Sequence, residues 1–330
     1  MLRFVAQEIR VELAQLGVRS VAEVVGRRDY LTRIEGLSGK MAQLDLSTIL
    51  NAPHVDSQSR DYAKQTEAHM PALRMDERHA AERAIAGDVS IIRADLTNEH
   101  RCVGVGAAGI VARHFGDLGL PDGGLRFVNS GAAGHFYAAY AVNGMEFRLQ
   151  GVVADSCFTA AYGGLLCVSP VDGIPGRALV GNAFGYGARG GRAYIAGRGG
   201  NRFGICLRKS HEGTGPRVVV EGVEANSFQY MTGGTALVLG TTGPNVGSGM
   251  TGGRVYLLKA DASSLNKTYV GLSPLNEIDE AIVKEMLREH LDHTGSTLAR
   301  KLLDDFDPSL FSAVATIVKP ELVQELAAVV

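Results

Sequence analysis

Three groups of residues have types and spacings that known chemistry uses. Gly104-Val105-Gly106-Ala107-Ala108-Gly109 matches GxGxxG, the turn that sets a dinucleotide pyrophosphate on a helix N-terminus. That role needs a strand before the turn and an acidic residue about 20 positions on. Asn98-Glu99-His100-Arg101 makes a poor strand, and the pattern recurs at Gly185–Gly190 and Gly247–Gly252 with β-prone runs after it. The motif therefore reads as a by-product of a glycine-rich repeat. His290 and His293 lie three apart on a predicted helix with Asp292 between them, a spacing that can hold a metal. No HExxH accompanies them, and they read as solvated residues of an amphipathic helix. The third group is His135, Tyr137 and Tyr140 in the segment Gly134–Tyr140. A histidine titrates near neutrality, so His135 is a candidate general base if the two tyrosines line a pocket with it. The competing reading is a buried, hydrogen-bonded histidine.

Other chemistries lack support. Cys102, Cys157, Cys167 and Cys206 form no CxxC pair, and only Cys102 has a nearby histidine, His100. This excludes a zinc or thioredoxin-type motif and a secreted disulfide framework, and leaves the cysteines as core residues. Neither a Walker GxxxxGK[ST] nor a GxSxG elbow occurs. The pairs Glu221/Glu224 and Asp304/Asp305 carry no usable geometry at this level.

The elements that would hold these residues follow from where glycine falls. Thirty-five of the 42 glycines lie between Gly104 and Gly253. Met231-Thr232-Gly233-Gly234 recurs as Met250-Thr251-Gly252-Gly253, with related copies Ala188-Arg189-Gly190-Gly191 and Ala161-Tyr162-Gly163-Gly164. A β-prone run follows each: Leu165–Val168, Ala193–Ala196, Ala236–Leu239 and Val255–Leu258. The copies start 19, 43 and 27 residues apart, the last with an insertion at Pro170–Gly176. Short strands at a period near 20 with glycine corners describe a parallel β-helix; a β-sandwich with coincidental Gly-Gly turns is the alternative. The flanks are helical. Val5, Ile9, Leu13 and Leu16 share one face ahead of Gly17, and Ser20 with Glu23 fits a capping box. Asp45–Leu50 and Glu82–Ala86 read as short helices, Ala52–Gln65 as irregular chain and Val89–Ile92 as a strand. A helix is expected over 277–293, a second one capped by Ser296 and ending near Pro308, and an amphipathic piece at 320–328. The expected layout is an N-terminal helical and extended arm (1–95), a glycine-rich β-helix (96–260) and a C-terminal helical tail (261–330).

Composition narrows the function classes. Lys plus Arg number 33 against 35 Asp plus Glu, a net charge of −2, which argues against binding nucleic acid or a membrane surface through bulk charge. No window approaches the ~20 apolar residues of a membrane helix, and Met1–Glu8 carries no export signal, so a cytoplasmic protein is expected.

Several stretches resemble one family. Leu96–Gly104, Phe115-Gly116-Asp117-Leu118-Gly119-Leu120-Pro121 and Val180–Gly191 are similar to the GXGXG domain of the glutamate synthase large (alpha) subunit. Val220–Gly253 is the most similar stretch, and Ala14–Ser20, Leu44–Ser47 and His293–Ser296 extend the likeness into both arms. The resemblance implies a right-handed, single-stranded parallel β-helix that acts as a scaffold and holds no catalytic, cofactor or metal residue. It further implies that FMN and an iron–sulfur cluster sit on partner subunits, namely an amidotransferase and an FMN/iron–sulfur synthase. This chain has no room for an FMN barrel and no clustered cysteines. The expected function is a non-catalytic scaffold subunit, for glutamine-dependent reductive amination of a 2-oxo acid in glutamate biosynthesis. Two alternatives stay open. The segment around His135 and Ala138-Ala139-Tyr140 departs from the family pattern, which suits a diverged enzyme or ligand-binding protein. The same β-helix also serves a formylmethanofuran-dehydrogenase-like oxidoreductase. Whether the chain forms a homo-oligomer stays open as well.

Overall fold

A computed structural model describes residues 2–51, 72–171, 176–210, 213 and 215–317. The expected irregular chain at 52–65 and the amphipathic piece at 320–328 fall outside these residues, as does part of the insertion at 170–176. The chain divides into two compact units, Met1–His69 and Met70–Val330.

The first unit contains helices α1 (Leu2–Gln15), α2 (Val21–Val24) and α3 (Ser47–Leu50). Gly17, at φ +73°, ends the run of α1 where a residue with a Cβ is disfavoured. The capping box expected at Ser20 does not form. Glu23 lies on the exposed side and instead draws the Ser20 hydroxyl at 3.0 Å. None of the unit's described residues is buried.

The second unit opens with α4 (Ala72–Ile85), β1 (Ser90–Leu96) and α5 (Val105–Phe115). Residues 72–95, assigned to the N-terminal arm on sequence, pack here because Ala80, Ala81, Ala84 and Ile92 are buried in the same core as Phe127 and Phe147. Strands β2 (Leu125–Ala133), β3 (Met145–Val153), β4 (Leu165–Ser169), β5 (Ala178–Val180), β6 (Arg192–Ile195) and β7 (Arg198–Gly199) follow. Then come β8 (Arg217–Val220), β9 (Thr232–Val238), β10 (Gly252–Leu258) and β11 (Val270–Pro274). Helices α6 (Glu277–Thr294) and α7 (Thr297–Asp304) and strand β12 (Phe311–Thr316) complete it.

The sheet order is β1-β2-β3-β4-β6-β8-β9-β10-β12-β11. Every neighbour from β1 to β10 is parallel, and β12 adds antiparallel to β10 and β11. The whole is a mixed, mainly parallel sheet with seven helices among the described residues, so helix is not confined to the arms. The four β-prone runs after the Gly-Gly copies all lie on it, as β4, β6, β9 and β10. A short second parallel ladder joins β3, β5, β7, Val223 and Thr242.

Register explains the sequence pattern. Phe127, Phe147, Leu166, Ala193, Val218, Ala236 and Val255 align across successive strands and are all fully buried. Side chains alternate along a strand, so the neighbouring row faces the other way. That row is Val128, Arg148, Cys167, Tyr194, Val219, Leu237 and Tyr256. Its members from Cys167 to Tyr256 form a second core with Val283, Met286 and Leu287 of α6. From β4 to β10 the sheet is therefore buried on both faces, which is why those strands read as apolar runs, whereas β1 and β2 alternate buried and exposed residues.

After β2, β3, β5, β7, β8 and β9 the chain turns through a motif that occurs six times, each turn forming one rung with the strands before it. Positive φ falls on residues 136, 138 and 140; 156, 158 and 160; 183, 185 and 187; 202, 204 and 206; 226, 228 and 230; and 245, 247 and 249. In five of these turns the first and third residues donate their N–H to the following rung. The middle N–H donates to the preceding rung throughout: Ala138 to Val103, Phe158 to Tyr137, Gly185 to Cys157, Gly204 to Phe184, Phe228 to Phe203 and Gly247 to Ser227. Left-handed backbone costs a residue with a Cβ roughly 1–2 kcal/mol. Phe136, Phe158, Phe228 and Tyr230 accept that strain because their amides are committed on both sides of the stack. Inside, Phe158, Phe184 and Phe203 stack ring on ring at centroid separations of 6.1 and 4.6 Å.

Candidate functional site

The Gly134–Tyr140 residues occupy the first of these turns, and the turn distributes them. Tyr137 is fully buried, and its hydroxyl donates to Asn129 Oδ1 at 2.9 Å. Burial pushes its phenol well above the usual range. Tyr140 is 52 % exposed. His135 is half-buried at the position before the first left-handed residue, and its carbonyl accepts from the Cys102 N–H at 2.9 Å. Alternating backbone sends Tyr137 into the core and Tyr140 outward, so the turn separates these two rings.

The GxGxxG at Gly104–Gly109 does have a strand upstream, β1, and it does open a helix, α5. Gly104 sits before α5 at φ +85°, and a Cβ there would collide with the Phe147 ring. Its N–H donates to Glu77 Oε1 at 3.0 Å. Glu77 is buried at 2 % exposure, so a carboxylate already occupies the place where a pyrophosphate would sit. Beside it, α4 and α5 enclose a cavity of about 780 Å³ whose walls include Ile85, Val105, Ile110 and Arg113. His100 is engaged locally, its Nδ1 accepting from the Thr97 N–H at 3.0 Å.

The reading of His290 and His293 as solvated residues is overturned. His290 is completely buried and His293 is half-buried. Helix α6 starts at an Asn276–Asp279 capping box and lies across the outward row of the sheet. His290 Nε2 meets Glu221 Oε1 at 3.2 Å, and the carboxylate, an acceptor only, requires the hydrogen on Nε2. The same oxygen accepts from the Ser296 hydroxyl. Ser296 in turn caps α7 by accepting from the Ala299 N–H at 3.0 Å, as expected from sequence. Glu221 thus ties two helices to the end of β8. Glu224 faces elsewhere and pairs with Arg198.

Further polar fastenings run along α6. Arg217 pairs with Glu285 at 2.9 Å and Glu289 at 2.8 Å. Arg148 donates to the His293 carbonyl at 3.2 Å. Tyr256 donates to Asp279 Oδ1 at 2.8 Å, while Arg254 pairs with its other oxygen. Despite some burial, the Tyr256 and Arg254 hydrogen bonds hold Asp279 below the usual carboxylate range. The His293 ring lies 4.7 Å from Tyr194; burial, then Arg148 and Arg192, lower its pKa. These acids and bases are used up in attaching α6, α7 and the sheet to one another. Sequence spacing did not reveal them, because Glu221 and His290 are 69 residues apart.

The cysteines are free thiols. Cys157 and Cys167 are buried, and burial pushes both thiols up. Among the described residues no group of three or more His, Cys, Asp or Glu is placed to hold a metal.

Comparison with known proteins adds what the geometry alone does not. Residues 76–319 match the family model for the GXGXG motif. The chain is 31 % identical over 336 residues to the large chain of NADPH glutamate synthase from Bacillus subtilis (strain 168), covering 96 % of this chain and 21 % of that one. It is 30 % identical to the NADH glutamate synthase of Schizosaccharomyces pombe, over 92 % of this chain and 15 % of that protein. Against the chloroplastic ferredoxin-dependent glutamate synthase of Spinacia oleracea the figures are 31 %, 93 % and 19 %. The chain thus spans about a fifth or less of the length of these relatives.

Proposed function

Because the chain belongs to the GXGXG family, with the match running over residues 76–319, we propose that it is a non-catalytic scaffold in a glutamate-synthase-type assembly. One observation carries this: nearly the whole chain is similar to one portion of glutamate synthase large chains. In the proposal, glutamine supplies the amino group, a 2-oxo acid receives it and the imine is reduced. An amidotransferase partner and an FMN/iron–sulfur synthase partner carry out these steps. The residues here do not suit an iron–sulfur cluster, since the four thiols are not gathered at one place. No step is therefore assigned to this chain.

The mainly parallel sheet is read as a right-handed, single-stranded β-helix over 96–260, between an N-terminal arm and a helical tail. The in-register rungs, the second ladder and the six repeated turns support that reading. Such a body gives partners a rigid, repetitive surface. No helix among the described residues is long and apolar enough to cross a membrane, and a cytoplasmic site is part of the proposal.

The test is native mass spectrometry of the tagged chain purified gently from its own cells. Co-purifying flavin, iron and larger polypeptides are the expected result. Conversion of glutamine and 2-oxoglutarate to glutamate by the purified chain alone would overturn the scaffold reading. His135→Ala is expected to leave the activity of the co-purified assembly unchanged. A loss there would move the function to the Gly134–Tyr140 turn.

A further inference from the structure

Four tyrosine rings project from the turn edge of the stack. Tyr140, Tyr162, Tyr186 and Tyr230 are 52, 45, 48 and 56 % exposed, although most large apolar side chains of this unit are buried. Tyr140 and Tyr230 hold the same left-handed place in the first and fifth turns, Tyr186 the place just before it in the third, and Tyr162 two places after it in the second. Neighbouring rungs lie ~4.8 Å apart, so the row from Tyr140 to Tyr230 is about 19 Å long.

Arginine is interleaved with them. The Arg189 guanidinium lies 5.9 Å from the centre of the Tyr162 ring. Arg189 and Arg208 occupy, one and two rungs further on, the place that Tyr162 holds, since their N–H groups bond to Ala161 and Ala188 as that of Tyr162 does to Ala141. Arg208 is exposed, and among the described residues neither arginine has a carboxylate partner. From Tyr140 to Tyr230 the chain holds nine Lys and Arg against six Asp and Glu, a local excess of positive charge within a chain of net charge −2.

We propose that this tyrosine–arginine edge docks a polypeptide partner that presents carboxylates to it. Tyr and Arg are the types enriched at the centres of protein interfaces and among their strongest contributors. A guanidinium without an internal acid is matched by a carboxylate, with two parallel hydrogen bonds. Protein is favoured over single-stranded nucleic acid because the chain as a whole is slightly acidic and the relatives carry several times more polypeptide for such an edge to meet. The inference rests on the scaffold reading and identifies the face that the scaffold uses.

The test has two arms. In the first, fluorescent poly-L-glutamate is titrated with the full chain and followed by anisotropy. Binding that weakens with salt is expected. Arg189→Glu with Arg208→Glu is expected to weaken it on the order of tenfold or more. Tyr140→Asn with Tyr230→Asn, which suits left-handed backbone, is expected to weaken it at an unchanged unfolding midpoint. Equal binding by the charge-reversed variant, no binding by the wild type, or tighter binding of oligo(dT) would each overturn the proposal. In the second arm, the charge-reversed variant is purified from its own cells beside the wild type. Partners kept by the wild type and lost by the variant support the docking face. Partners kept by both overturn the face and leave the scaffold reading standing. Partners absent from both overturn the scaffold reading and this inference with it.

Discussion

The Gly104 N–H donates to Glu77 Oε1 at 3.0 Å, and this carboxylate stands where every later rung finds a carbonyl of the rung before it. Gly104 aligns with Ala138, Phe158, Gly185, Gly204, Phe228 and Gly247, whose amides all donate backwards along the stack. The first rung has no predecessor, and a buried acid from α4 substitutes for it. Glu77→Ala leaves a buried donor unsatisfied, which costs about 1–3 kcal/mol. Glu77→Gln keeps an acceptor oxygen and is expected to lose about 1 kcal/mol. Urea unfolding of the two variants checks the order. Equal stability of both with the wild type would refute the capping role.

Glu221 joins His290 and Ser296 where all three side chains are largely buried. Glu221→Ala is expected to cost about 3 kcal/mol, since it strands a buried imidazole and a buried hydroxyl together. Amide exchange in α6 and α7 is expected to accelerate more than exchange in β2 and β3. Uniform acceleration would show that α6 is not fastened chiefly at this point.

His293 makes stability depend on pH. Its folded pKa lies below the ordinary value of 6.5 because burial and the nearby Arg148 and Arg192 disfavour the charged ring. As pH falls through 6.5 the unfolded chain takes up the proton first. Stability contributed by the neutral ring is therefore complete above 6.5 and is lost as pH falls towards the lower folded pKa. His293→Gln is expected to flatten the decline in unfolding free energy from just above pH 6.5 downwards. An unchanged slope would assign the decline to other groups.

Left-handed alanines offer a stabilising change. Ala160 and Ala183 sit at φ +50° and +54°. Glycine removes the Cβ penalty but adds unfolded-state entropy. Each Ala→Gly change is expected to gain about 0.5–1 kcal/mol. Gly151→Ala is expected to go the other way, because a Cβ there would strike the Gly131 carbonyl of the neighbouring rung. Thermal unfolding midpoints of the three variants decide this. A lower midpoint for both Ala→Gly variants would mean that packing outweighs backbone strain.

Much of this molecule could be read along the chain because its signals are local. Gly-Gly corners at a period near 20 located β4, β6, β9 and β10, and Ser296 announced itself as a helix cap because a cap acts within three residues. The near-complete family likeness was equally visible in short stretches such as Val220–Gly253. What the sequence alone could not decide depends on partners from other rungs. Phe136, Phe228 and Tyr230 hold left-handed backbone that a sequence reader reserves for glycine, and they hold it because amides above and below are already committed. His290 has the spacing of a solvated helical face, and it becomes a core residue only because α6 folds back onto Glu221. Tyr137 and Tyr140 lie three residues apart, and the alternating turn alone sends one inward and the other out. Local propensity set the elements; stacking of rungs distant in sequence set which side chains meet, since hydrogen bonds between rungs fix backbone angles that no single residue type prefers.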